Sequence, residues 1–380
     1  MLIKNCRILE PGAPGEAIDL LLEGGKIAGM GPGITGRGED TIDAGGRIAA
    51  PGLIDVHVQG AGGSDTLDGG LGDLERISRS CARHGVTGFL ATTVYRYRGE
   101  NGHLKNATQS IGRDLGGARL LGIHLEGPFI SGERRGMILP DSVCPPSTEV
   151  LEEILEITRG GLKIMTIAPE LEGSMELIAM LRRSGVIASF GHSNASYEET
   201  LEGIEQGITH VTHLFNAMPS IHHRQPGPLL AILESEELSV QVIPDGVHVH
   251  PRVLAWALGQ VGFERTISIT DGMRSMDMPD GTYSYNGIEY HSKGGTARYR
   301  DGRLVGTSLC MDELLHRLSK YTGWDPRVAI ATAAENPARL LGLGGKGRLS
   351  PGMDADIVIM EPDLSAWTTI VRGRTVYRSE

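Results

Sequence analysis

Ala118-Arg119-Leu120-Leu121-Gly122-Ile123-His124-Leu125-Glu126 is a short, largely apolar run that closes on a carboxylate, and it reads as a strand. Two runs of the same kind lie upstream, Gly52–Val58 and Val86–Thr93. Downstream come Leu162–Ala168, Val186–His192, Ile208–Leu214, Leu238–Asp245 and Thr266–Asp271. Helical stretches fall between them, namely Leu71–His84, Thr148–Arg159, Ser174–Ser184, Ser196–Gln206 and Arg252–Val261. Two more, Ser308–Tyr321 and Pro326–Leu341, follow the eighth strand. Strands alternating with helices in this way make a parallel α/β sheet, and eight of them close most naturally as a (β/α)8 TIM barrel. An open doubly wound sheet is the alternative, but it requires a dinucleotide fingerprint after its first strand. Gly60-Ala61-Gly62-Gly63 is rich in glycine and carries no such fingerprint.

The two ends of the chain read differently from its middle. Met1–Leu9, Ala17–Glu23, Lys26–Met30 and Asp40–Ile42 are short strands with Gly and Pro between them. Asp356–Met360, Thr368–Val371 and Thr375–Tyr377 repeat that texture at the other end. These segments are expected to pair as one small β-sandwich domain, 1–50 plus 345–380, leaving 51–344 to the barrel. A barrel of about 250 residues with a small companion fits a chain of 380. The net charge of -11 argues against nucleic acid or an anionic membrane as a partner. An anionic substrate would need local cations. Cys6, Cys81, Cys144 and Cys310 show no CxxC pairing and read as reduced, buried thiols, which points to the cytoplasm. No secretory leader opens the sequence and no apolar run reaches transmembrane length, so a soluble protein is expected.

The chemistry lies at the strand ends. His57, Glu126, His192, His213 and Asp271 close strands one, three, five, six and eight. In a barrel all C-terminal strand ends converge on one face, where active sites form. A lone histidine is ordinarily a hydrogen-bonded structural residue, and His84, His103, His210, His291 and His316 are read that way. His192 and His213 differ because each ends an apolar strand. Glu126 and Asp271 follow apolar runs and would be costly to bury without a cation or hydrogen bonds. Two imidazoles and a carboxylate suit a divalent ion such as Zn²⁺ with one open position. Such an ion polarises an amide carbonyl and acidifies water. Asp271 is then the group that accepts the water's proton and passes it to the leaving amine.

These residues stand in recognisable words: Pro51-Gly52-Leu53-Ile54-Asp55-Val56-His57, His124-Leu125-Glu126-Gly127-Pro128-Phe129, Gly191-His192-Ser193, Thr212-His213-Leu214-Phe215-Asn216-Ala217-Met218 and Thr270-Asp271-Gly272-Met273. Together they resemble the amidohydrolase superfamily, and within it the N-acetylglucosamine-6-phosphate deacetylase family. The second and fourth words carry the narrower likeness. The resemblance implies deacetylation of N-acetyl-D-glucosamine 6-phosphate, with Glu126, His192 and His213 holding metal and Asp271 as base and acid. It further implies sugar contacts at Asn216, Ala217 and His248, and a phosphate contact at Arg224 that reaches across a homodimer interface. One divalent metal per subunit is expected, Zn²⁺ before Fe²⁺, Co²⁺ or Mn²⁺.

Three words depart from the family pattern. His57-Val58-Gln59 replaces His-x-His, and an amide is a poor ligand for a second zinc. His57 and Gln59 are therefore expected to bind substrate or to hold a second ion only weakly. Arg135-Gly136-Met137-Ile138 replaces Lys-Gly-Ala-His, which puts Met137 at the substrate and leaves the sugar open. Leu304-Val305-Gly306-Thr307 is a milder change from Leu-Ala-Gly-Ser. Three rivals follow: a deacetylase of another phosphorylated N-acetylhexosamine such as N-acetylgalactosamine 6-phosphate, a non-sugar amidohydrolase, and a catalytically dead barrel used for binding.

Overall fold

The computed structural model describes residues 1–9, 17–35 and 40–380. Eight parallel strands, Leu53–Val58, Val86–Thr93, Arg119–Glu126, Leu162–Ile167, Ile187–Phe190, Ile208–Val211, Ser239–Val242 and Thr266–Ser268, are hydrogen-bonded in sequence order. The sheet curls, and the segment that follows its last strand reaches its first. Val58 bridges Gly272 in parallel, and the Asp271 amide donates to the His57 carbonyl at 2.9 Å. Strand two is buried at every position, as a parallel strand covered on both faces should be. Ile54, Val56, Leu90, Ile164, Ile243 and Ile269 form one buried cluster, against which Leu340, Leu341 and Leu343 pack.

The helices follow from capping and spacing. Ser147 caps Thr148–Thr158 by accepting from the Val150 amide. Ser196 and Glu199 make a capping box that opens Tyr197–Gln206. Leu74, Ile77, Ser78 and Cys81 line the buried face of Leu71–Arg83 at helical spacing. The expected helix Pro326–Leu341 is in fact two, Pro326–Ala333 and Glu335–Leu340, broken where Ala334 leaves helical geometry at ψ −72° and φ −129°. Helices Gly102–Ser110 and Gly227–Glu234 are additions to the sequence reading.

Strands from the two ends join one mixed sheet. Its order is Arg374–Arg378, Ala366–Val371, Ile357–Met360, Ile48–Pro51, Leu2–Ile8, Ala17–Glu23, Lys26–Gly31, with Thr41–Asp43 also paired to Leu2–Ile8. Ile3, Leu20, Ile27, Ile357, Ile359 and Ile370 share a core separate from that of the parallel sheet.

A four-stranded antiparallel sheet, Gly281–Tyr285, Ile288–Lys293, Thr296–Tyr299 and Leu304–Thr307, follows the eighth parallel strand and was not anticipated. Its first turn is Asn286-Gly287, both at positive φ, the pairing a tight two-residue hairpin turn demands. Tyr285, Tyr290, Tyr299 and Val305 of this sheet pack with Met137 and Met273. Among the described residues no helix is long and apolar enough to cross a membrane.

Candidate active site

Strand one presents His57 and strand three ends on Glu126, as the sequence indicates. Strands five, six and eight stop short of His192, His213 and Asp271. These three residues instead occupy the left-handed region, with φ of 50°, 26° and 48°. Such a conformation costs a non-glycine residue on the order of 1–3 kcal/mol, and it persists where surrounding structure imposes it. The chain thus turns abruptly at each strand end and brings the side chain over the sheet's mouth.

There Glu126 Oε1 lies 3.1 Å from His192 Nε2 and 3.2 Å from His213 Nε2, and the two imidazole nitrogens are 3.1 Å apart. Among the described residues this is the cluster of three His, Cys, Asp or Glu side chains whose ligand atoms all lie within 4.8 Å of one another. His192 Nδ1 donates to the Arg134 carbonyl at 2.8 Å, which leaves a lone pair on Nε2. Two buried imidazoles and a carboxylate turned on one point fit a divalent cation. Burial alone would raise the Glu126 carboxyl, but His57, His192 and His213 hold its pKa well below the usual range. Burial lowers the His213 pKa, which favours the neutral, ligating form.

His57 lies behind this trio. Its Nε2 is 3.2 Å from Asp271 Oδ1 and 3.5 Å from Glu126 Oε1. Burial opposes charge on this ring, yet the two carboxylates prevail and push its pKa well up. The Gln59 amide donates to Glu126 Oε2 at 3.1 Å and to Asp271 Oδ1 at 3.4 Å. A side chain already spent on both carboxylates stands where a second histidine would otherwise offer a ligand. His248 Nδ1 is held by Asp245 Oδ2 at 2.7 Å, and its Nε2 lies 3.9 Å from Asp271 Oδ2.

A cavity of about 130 Å³ collects most of the expected residues. Gln59, Glu126, Met137, His192, His213, Asn216, Ala217, His248 and Asp271 line it, together with Gly136, Leu304 and Val305. The Asn216 side chain donates to the His213 and Leu214 carbonyls and so braces the turn that carries His213. Arg224 is not in the lining: it is exposed, with Nη1 2.8 Å from His223 Nε2.

The five histidines read as structural each find a partner, as with His103 on the Val94 carbonyl and His210 on Ser239. His124 is also structural, bound to the Val56 carbonyl and Thr166 Oγ1, and burial keeps its pKa well below the ordinary value. Gln241 escaped the sequence reading. Its Oε1 accepts from His57 Nδ1 at 2.9 Å and from the His213 amide at 3.4 Å, bracing two residues of the site. An amide inside the apolar run Leu238–Ile243 was the available signal, since it is costly unless bonded.

A curled eight-stranded parallel sheet that sets two histidines, a glutamate and an aspartate at its mouth defines a hydrolase built to use a divalent metal. The chain belongs to the amidohydrolase family, whose sequence model matches residues 48–378. It is 36% identical over 338 residues to the N-acetylglucosamine-6-phosphate deacetylase of Bacillus subtilis (strain 168), covering 88% of this chain and 85% of that one. It is 32% identical to the N-acetylgalactosamine-6-phosphate deacetylase of Escherichia coli O157:H7 over 86% of this chain and 87% of the relative. The fold also superimposes on N-acetyl-D-glucosamine-6-phosphate deacetylase from Mycobacterium smegmatis, solved as an aspartate-to-alanine mutant in complex with N-acetyl-D-glucosamine-6-phosphate. That comparison has a TM-score of 0.90 at 29% identity and covers 99% of both chains.

Proposed function

We propose that this chain hydrolyses the acetamido group of N-acetyl-D-glucosamine 6-phosphate, releasing D-glucosamine 6-phosphate and acetate. The observation that carries this reading is the convergence of Glu126, His192, His213 and Asp271 on one cavity, in a chain 36% identical to a deacetylase of that substrate. Glu126, His192 and His213 would hold one divalent cation, with Zn²⁺ favoured by the nitrogen-rich donor set. When bound, that cation polarises the acetamide carbonyl and acidifies the attacking water. Asp271 takes the water's proton as oxygen adds to the carbonyl carbon, then delivers it to the amine nitrogen as the C–N bond breaks. His57 and Gln59, both within 3.4 Å of Asp271 Oδ1, hold that carboxylate in place. Asp245 orients His248 through Nδ1, and the ring's Nε2, 3.9 Å from Asp271 Oδ2, would meet a sugar hydroxyl. Asn216 and Ala217 offer backbone contacts to the sugar, and Met137, Leu304 and Val305 give the acetyl methyl an apolar wall.

The remaining parts of the reading are architectural. The curled sheet is taken as a closed (β/α)8 barrel over 51–344, and the terminal strands as a small sandwich domain of 1–50 plus 345–380. The Val58–Gly272 bridge supports the first and the separate terminal core the second. A homodimer is proposed, in which Arg224 binds the substrate phosphate of the neighbouring subunit. Its support is the exposed position of Arg224 and of Ile221 and Val247, together with Val253 and Trp256 on one face of helix Pro251–Val261. That helix packs on Gly227–Glu234, which follows the Arg224 loop. The four cysteines are unpaired and buried, in keeping with a reducing compartment such as the cytoplasm.

The test is a deacetylation assay on zinc-loaded protein with 6-phosphates of N-acetylglucosamine and N-acetylgalactosamine, run beside Asp271→Asn. Turnover of the first substrate should dominate, and the variant should lose about 10³-fold in kcat while retaining its zinc. Preference for the galactosamine compound would move the assignment to the sister activity, and full turnover by the variant would remove Asp271 from its role.

A further inference from the structure

We propose that Asn194 is a positioning residue: it clips the strap Ser131–Met137 onto the His192 loop, and this clip sets both the tautomer of His192 and the position of the substrate wall. The proposal rests on the reading of Glu126, His192 and His213 as metal holders.

The argument begins with His192. Its ring offers Nε2 to a cation only if the proton stays on Nδ1, and the group that keeps it there is the Arg134 carbonyl at 2.8 Å. That carbonyl belongs to a single 3-10 turn, Gly132–Arg134, with no sheet or long helix to fix it. His192 itself is held at φ 50°, a conformation that needs outside support. The carbonyl therefore has to be secured by other contacts.

Asn194 supplies them. Its Oδ1 accepts from Arg134 Nε at 2.7 Å, and its Nδ2 donates to Glu133 Oε2 at 2.7 Å. One amide thus grips two consecutive residues of the strap by opposite ends. Asn194 is anchored in turn: its backbone amide donates to Glu170 Oε1 at 2.6 Å, and Ser193 Oγ donates to Glu170 Oε2 at 2.7 Å. The Ser131 amide closes the strap's start on the His192 carbonyl at 2.9 Å. Two residues beyond the grip, Gly136 and Met137 enter the cavity lining. Arg303 Nη1 secures the Gly136 carbonyl there at 3.2 Å. Alongside the Ser131 and Arg303 contacts, the clip therefore bears on both the imidazole's proton and the wall met by the substrate, while touching neither the cation's place nor the cavity.

Releasing the clip should loosen both. The test measures zinc transfer from the loaded, full-length protein to a chromogenic chelator, the unfolding midpoint of the zinc-free protein, and steady-state kinetics. Asn194→Ala should release zinc about tenfold faster or more, in line with other losses of outer-shell partners. KM should rise by more than kcat falls, and the zinc-free midpoint should stay near that of the wild type because Asn194 is exposed. Glu133→Ala should show a smaller effect of the same kind, and Glu133→Gln, which keeps an acceptor oxygen, should restore slow release. Unchanged zinc release in Asn194→Ala, with wild type holding zinc, overturns the clip. Faster release that only tracks a loss of zinc-free stability overturns it as well. A wild type that binds no zinc instead overturns the metal reading beneath it.

Discussion

Asp65 offers a perturbation whose sign and size can be worked out. Its carboxyl is fully buried, with Oδ1 accepting from the Leu67 amide at 2.9 Å. Among the described residues, Oδ2 has no hydrogen-bond partner. Burial pushes the carboxyl from 3.8 up to about 7, opposed by the Leu67 hydrogen bond and Arg274 and reinforced by Asp68 and Asp73. The folded protein therefore keeps a proton between about pH 4 and pH 7 that the unfolded chain has already released. More protons in the folded state mean that stability falls as pH rises, and above the folded pKa the full penalty applies. The interval from 3.8 to about 7, at 1.36 kcal/mol per pH unit, corresponds to about 4 kcal/mol. Asp65→Asn keeps the acceptor for Leu67 and removes the charge. The variant should match wild type near pH 4 and gain on it steadily, by a few kcal/mol at pH 8. Urea unfolding of both proteins at pH 5, 6, 7 and 8 measures this, because carboxyls common to both cancel in the difference. A difference that stays constant across that range would refute the argument that Asp65 is held protonated by burial.

Two further outcomes follow from the site. Arg224→Ala should raise KM at least tenfold for the phosphorylated sugar and leave its unphosphorylated counterpart unaffected; equal shifts for both, read from parallel steady-state assays, would count against a phosphate contact. Gly306→Ala would put a Cβ 2.5 Å from the Asp271 carbonyl oxygen and 2.7 Å from Met273 Cγ, so the Asp271 turn must move. Its kcat should fall more than tenfold with zinc content intact, and wild-type kinetics in this variant would show that the turn has slack.

Most of the parallel sheet is legible in the sequence because its strands are buried apolar runs, five of which lead to a chemically distinctive residue: His57, Glu126, His192, His213 or Asp271. The limits of that legibility have particular causes. His192, His213 and Asp271 were read as strand residues because they continue apolar runs, whereas their left-handed backbone comes from tertiary contacts that no local pattern announces. The antiparallel insert carries a legible local signal: Asn286-Gly287 is a strong hairpin turn, and Tyr283, Tyr285, Tyr290 and Tyr299 are strand-forming residues around it. Glu133, Glu170 and Asn194 could not have been picked out, since each is an ordinary polar residue until folding brings three separate segments together. Gln241 falls between these cases, with its type conspicuous in an apolar strand and its partners unknowable from spacing.

The terminal sheet bears on how the protein is made. Ile48–Pro51 takes Ile357–Met360 as its neighbour, with Pro51 opposite Ile357 and Ile48 opposite Met360. A ribosome must therefore add residues 52 to 356 before Ile48–Pro51 can meet that neighbour. Until then the nascent chain carries an unpaired strand edge, open to pairing with another molecule. Termination shortly before Ile357 would leave that edge bare while sparing Glu126, His192, His213 and Asp271, so such products should be lost to aggregation and not to faulty chemistry.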